Sequence, residues 1–179
     1  MKSVHIRTTS LIIIVFLTAL SRLLPHPFNF TPIAAIALFG AATFPRKWQG
    51  LVVPLAAMLV SDLLLGFHGT MAAVYGSFVL TWTLGVLFLK KVTAGRVALV
   101  SLASSLLFFL ITNYAVWDGS RFYPQTFEGL MSCYTAGLAF YNGQSFFLNG
   151  VLGDLTFSTL LFGGYYLLQQ RFPGLRAAH

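Results

Sequence analysis

The chain has 179 residues, of which 57% are hydrophobic and only 8% are charged, with a net charge of +7. Soluble domains carry about 25% charged residues, so this composition excludes an ordinary water-soluble globule. The eleven Lys and Arg residues are thinly spread at the ends of apolar runs and form no basic face, which argues against nucleic acid as a partner.

Apolar runs recur at the length a helix needs to cross hydrocarbon. They predict one integral membrane domain over 1–179, built from six transmembrane helices. The first run follows Lys2 and Arg7 and resembles a signal peptide. It lacks a small-x-small cleavage pattern, so a retained helix from about Ser10 to Leu24 is expected, ending before Pro25 and Pro27. After the link HPFNF, Thr31 as cap and Pro32 in the first turn predict a second, short helix ending at Phe44. A third is expected from Trp48 to Gly66, kinked at Pro54, a fourth from Thr70 to Leu89 and a fifth from Gly95 to Trp117. The last is expected from Phe146 to Gln169.

Between the fifth and sixth helices, Phe127, Leu130, Met131, Tyr134, Leu138 and Tyr141 recur at helical spacing, with Pro124 placed to sit in the first turn. This predicts an amphipathic segment on the bilayer surface; a seventh span is the alternative. The basic residues set the orientation. Lys2, Arg7, Arg46, Lys47, Lys90, Lys91, Arg96, Arg171 and Arg176 fall on one side, and only Arg22 and Arg121 on the other. Lys and Arg accumulate on the cytoplasmic side, so both termini are expected inside.

The polar residues then gather toward the outer side, with the stretch from Asn113 to Asp154 as their centre. It holds Asp118, Glu128 and Asp154, the single Cys133, and interleaved Tyr, Trp and Asn. Binding sites combine aromatic surface with a few aimed polar groups, and Asn29, His68, Tyr75, Asn113, Trp117, Tyr134, Asn149 and Asp154 are the candidate ligand residues. Tyr114 and Trp117 also suit an interfacial aromatic belt. Three charges, Arg22, Asp62 and Asp154, interrupt apolar runs and are costly there unless paired or functional. A structural pair of Arg22 with Asp62 or Asp154 is one reading; a carboxylate that binds ligand or a coupling ion is the other. His26 and His68 have no metal-type partner at i+4. Cys133 suits either a small apolar packing role or a soft metal ligand. Ala37 and Ala41 form a small-x-x-x-small pair, for internal packing or for docking another subunit. No phosphate-binding loop and no H-E-x-x-H or G-x-S-x-G motif is present, so a binding protein is expected before an enzyme.

The segments SRLLPHPFNFTPIAAIALFGA (21–41), PLAAMLVSDLLLGFH (54–68), YGSF (75–78), TNYAVW (112–117) and NGVLGDLTFSTLLFG (149–163) resemble a family of small bacterial membrane proteins placed near the substrate-binding S components of energy-coupling-factor (ECF) vitamin transporters. The resemblance implies a multi-pass protein of the bacterial cytoplasmic membrane that captures a vitamin-like nutrient in an outer pocket walled by the later helices and loops. It also implies toppling in the bilayer while docked to a helical coupling subunit, with ATPases on other chains. Solitary cobalamin-type S components are the nearest functional relatives, which makes cobalamin the first ligand to consider and Cys133 the only residue that could ligate its cobalt. Ala37 and Ala41 resemble the small-residue docking surface of such proteins, moved here from the first helix to the second. The alternatives are a membrane enzyme modifying a corrinoid or lipid through Cys133 or Asp154, and a helical scaffold subunit.

Overall fold

Apolar residues dominate every long segment of this chain, and backbone polar groups surrounded by apolar matter must be satisfied locally. The segments therefore coil into helices. The computed structural model describes residues 2–139 and 144–176, and among them the regular elements are all helical. Seven helices follow one another: α1 (Lys2–Leu20, extended by a 3-10 turn Ser21–Leu23), α2 (Ile33–Thr43), α3 (Lys47–Leu65), α4 (Met71–Phe88), α5 (Ala94–Asp118), α6 (Phe127–Leu138) and α7 (Phe146–Arg171). A π-helical turn, Thr159–Gly163, interrupts α7.

Five helices are long and apolar enough to cross a membrane: Ile6–Leu23, Lys47–Leu65, Met71–Phe88, Ala94–Asp118 and Phe146–Arg171. The predicted second span is the exception. At 1.5 Å per residue the 11 residues of α2 reach only about 17 Å, little more than half of a hydrocarbon core. It does not need to match the bilayer, because it meets little of it. Ile33 to Ala41 are all buried, and α1, α3, α4, α5 and α7 pack around α2. Thus α2 is the central post of the bundle, and the long helices turn their apolar surplus outward, as at Leu99 (68% exposed) and Leu167 (66%). Proline disfavours helix in the residue before it, and Phe44, which precedes Pro45, is accordingly extended. At the other end Pro32 directly precedes the first helical residue, and the expected Thr31 cap makes no side-chain capping bond.

Small residues let the neighbours of α2 approach its backbone. A Cβ added at Gly40 would collide with the Gly50 carbonyl of α3, and one at Gly85 of α4 would fall 2.6 Å from the Ala41 Cβ. This corrects one reading of Ala37 and Ala41. Both are fully buried inside the bundle, so the pair serves internal packing and offers no surface to a coupling subunit. A helix without charges, and with alanine and glycine where its neighbours come closest, is the one that can be surrounded on every side.

The bundle has two unlike ends. At one, Arg7 Nη2 donates to the Thr43 carbonyl (2.6 Å) and Lys47 Nζ to the Ala41 carbonyl (2.8 Å), tying basic side chains to the last turn of α2. Cations suit that position because the carbonyls there have no helical partner. The other end carries the polar links and α6.

The segment around α6 differs from expectation in register. Pro124 lies outside the helix, Thr126 Oγ1 accepts from the Gly129 N–H as cap, and the helix begins at Phe127. Its packed face is Gly129, Cys133 and Gly137, while Phe127, Met131 and Leu138 of the apolar stripe stay exposed. A Cβ at Gly137 would fall 2.7 Å from Asn113 Oδ1 of α5, so small residues again decide which face docks. Much of the apolar stripe is thus left exposed. Tyr141 and Asn142 lie outside the described residues.

Candidate ligand-binding site

The polar end is hollow. A cavity of about 370 Å³ opens among the link before α2, the α3–α4 turn, α5, α6 and the start of α7, lined by Arg22, Asn29, Thr31, His68, Thr70, Phe108, Thr112, Asn113, Tyr123, Cys133 and Phe146, among others. It adjoins a recess of about 30 Å³, room for about one water-sized group. The two share Asn29, Thr31, Ile33, Phe108, Thr112 and Phe146, and the recess alone adds Ala34, Ser105, Phe109, Phe147, Gly150 and Asp154.

The link 25–32 forms one wall. Asn149 Nδ2 donates to the Phe28 carbonyl (2.9 Å), and the Phe28 N–H donates to Gln144 Oε1 (3.3 Å). Asn29 sits at φ 63°, in the left-handed region that Asn tolerates better than most residues. Its neighbours are thereby turned so that Asn29 and Thr31 both face the hollow. Gly153 brings α7 against the backbone of Phe30 and Thr31, where a Cβ would fall 3.0 Å from the Thr31 nitrogen. That close approach carries Asp154 beneath the first turn of α2.

The two intramembrane carboxylates differ sharply. Asp62 is spent on the bundle: its Oδ1 lies 2.7 Å from Arg22 Nη1, and its Oδ2 accepts from the Tyr75 hydroxyl (2.8 Å). Arg22 Nη1 also donates to Ser61 Oγ (2.6 Å). Asp154 is only 7% exposed, accepts from Ser105 Oγ at 2.6 Å, and has the Ala34 backbone N–H turned toward it. Among the described residues no Lys or Arg pairs with it. Below it, Ser101 and Ser158 share a hydrogen bond of 2.8 Å, continuing the polar seam between α5 and α7.

Of the expected ligand residues, Asn29, His68, Asn113 and Asp154 line the hollow. The other four do not, because their polar atoms are used to build its walls. Tyr75 belongs to the Asp62 cluster. Trp117 donates through Nε1 to the Pro124 carbonyl (2.9 Å) and holds the loop before α6. The Tyr134 hydroxyl donates to the Leu110 carbonyl (2.9 Å), and Asn149 clamps the link. Ser105, Phe108, Phe109 and Thr112 were missed by the expectations. Their trace in the sequence is faint: polar breaks at i and i+7 in the apolar run of α5, the spacing of one helix face.

Cys133 lies on the cavity wall, where its thiol donates to the Asn113 carbonyl (3.4 Å), and burial pushes its pKa up. Metal ligation needs the thiolate. A thiol held this way is a poor nucleophile at neutral pH. His68 Nδ1 lies 3.0 Å from Thr70 Oγ1, and no cluster of three His, Cys, Asp or Glu capable of holding a metal occurs among the described residues.

No curated protein and no solved structure matches the chain. A family model matches residues 2–175, nearly its whole length, and the chain belongs to that family of unknown function, DUF6580.

Proposed function

We propose that this protein is a substrate-binding membrane component that captures a small vitamin-like nutrient at the outer face of the bacterial cytoplasmic membrane. The observation that carries the reading is the hollow polar end: a cavity of about 370 Å³ with aromatic and polar walls, leading to a buried carboxylate. Ligand sites have this make-up, mostly apolar lining with a few convergent polar groups in a space of about 300–1,000 Å³. The opposite end gathers most of the Lys and Arg, and positive-inside reasoning then turns the cavity outward and both termini inward. Six passes follow if the enclosed α2 counts as one.

The chain has no ATPase motif of its own, so uptake needs either a partner chain, as in ECF transporters, or an ion gradient. The cavity lies at the low end of the ligand range, which favours a compact vitamin. Cobalamin, a macrocycle with a nucleotide tail, would require the cavity to widen. Purification in mild detergent, followed by mass spectrometry of extracted small molecules and a binding panel of vitamins, tests the reading. A bound or binding nutrient is expected; an empty protein that binds no member of the panel overturns it.

A further inference from the structure

Resting on that reading, we infer that the captured nutrient carries a protonated amino group, and that this group seats in the recess on Asp154. Three observations converge. The carboxylate is buried and has no cationic side chain among the described residues, although a charge held at membrane depth is stabilised chiefly by an opposite one. Ser105 and the Ala34 N–H supply donors to it, yet the carboxylate has about four acceptor positions, and it remains on the wall of an open space. Around that space stand four aromatic rings, Phe108, Phe109, Phe146 and Phe147, and aromatic faces attract cations, more strongly when desolvated.

Size narrows the class. The recess holds about one water-sized group, which admits a primary ammonium and not a bulky quaternary head. The body of the ligand would occupy the wider cavity, where Asn29, His68 and Asn113 offer hydrogen bonds. The remaining cation on the cavity wall, Arg22, is neutralised by Asp62, so it does not repel an incoming amine. A recess that holds a carboxyl group and no cationic side chain among the described residues selects against anionic nutrients.

The test compares molecules matched in size and differing in charge. Pyridoxamine and pyridoxine form one pair, 2-phenylethylamine and 2-phenylethanol another; thiamine, riboflavin, biotin and pantothenate widen the panel. Binding to the purified full-length protein in nanodiscs is measured by calorimetry, in sodium chloride and again in N-methylglucamine chloride. The amine of at least one pair is expected to bind, with the alcohol of the pair at least about tenfold weaker. Asp154→Asn is expected to weaken the amine about thirtyfold or more and to leave the alcohol unchanged. The wild-type comparison of amine with alcohol stands even if that variant does not fold. Equal binding of amine and alcohol, equal binding by Asp154→Asn, or a response to sodium ion alone overturns the inference. Tight binding of riboflavin, biotin or pantothenate with no amine preference sinks this inference and keeps nutrient capture. Failure of every probe overturns both.

Discussion

Asp62 and Asp154 are buried carboxylates in the same bundle, and they show two ways of keeping an acid in an apolar setting. Asp62 is closed off by Arg22 and Tyr75, each bond within 2.8 Å, with Ser61 completing the guanidinium. Asp154 has a serine, a nearby backbone N–H and an open recess. The first arrangement is charge-paired and holds α1, α3 and α4 together; the second has no cation among the described residues and faces open space. Each carboxylate has two donors from the protein; what distinguishes them is that only Asp62 has a cation beside it and only Asp154 borders an open recess, and burial alone does not tell them apart.

The comparison can be broken most forcefully at the charge-paired site. Arg22→Ala leaves Asp62 buried without its cation and is expected to destabilise the protein by about 3–5 kcal/mol, read from thermal unfolding in nanodiscs. Replacing both partners, Arg22→Met with Asp62→Leu, is expected to recover most of that loss, since an apolar pair removes the uncompensated charge. Recovery of nothing would show that the pair does more than hold helices.

The central post supplies a control of similar size without charge. Ala37→Leu forces a larger side chain into a fully buried position and is expected to cost about 1–3 kcal/mol, measured in the same assay. A variant that keeps its stability and loses only association with another chain would restore the docking role rejected above for Ala37 and Ala41.

Smaller effects sharpen the contrast. Tyr75→Phe removes one hydrogen bond to Asp62 and is expected to cost about 0.6 kcal/mol, and no more than about 1.7. Asp154→Asn keeps an acceptor for Ser105 and removes a buried charge, so its melting is expected to stay within about 1 kcal/mol of the wild type. A loss as large as that of Arg22→Ala would make Asp154 a structural acid after all. At the lower limit, Cys133→Ser is expected to change stability little, and Cys133 itself should react slowly with a maleimide at neutral pH. Burial raises its pKa, so the reactive thiolate is scarce there and grows as pH climbs through the alkaline range. Fast labelling at pH 7 would contradict the buried thiol on the cavity wall.

Much of the fold was legible in the chain. The long spans were readable within a few residues, save the start of α1 at Lys2 where Ser10 was expected, because twenty or so apolar residues between prolines, glycines and basic anchors leave the backbone few options other than helix. The cap at Thr126 and the start at Phe127 were less so, since a proline two residues upstream suits a first turn equally well. The site was half legible. Asn29, His68, Asn113 and Asp154 stood out as polar residues in apolar company, but so did Tyr75, Trp117, Tyr134 and Asn149, whose donors turn into the scaffold. A polar residue in a membrane chain must find a partner, and sequence does not say whether that partner is the protein or a guest.

From its residues alone, then, the chain was bound to be a helical membrane protein with basic groups at one end of its helices and polar groups at the other, because solvation free energy depends on composition and order along the chain. Three matters waited for tertiary structure: that α2 is enclosed by its neighbours, that Arg22 pairs with Asp62, and that Asp154 looks onto a recess ringed by phenylalanines. Each depends on which faces of distant helices meet, and that is settled by the small residues Gly40, Gly50, Gly85 and Gly153, where backbones touch. Such contacts are set by shape across the bundle, and shape is not a property of any one segment.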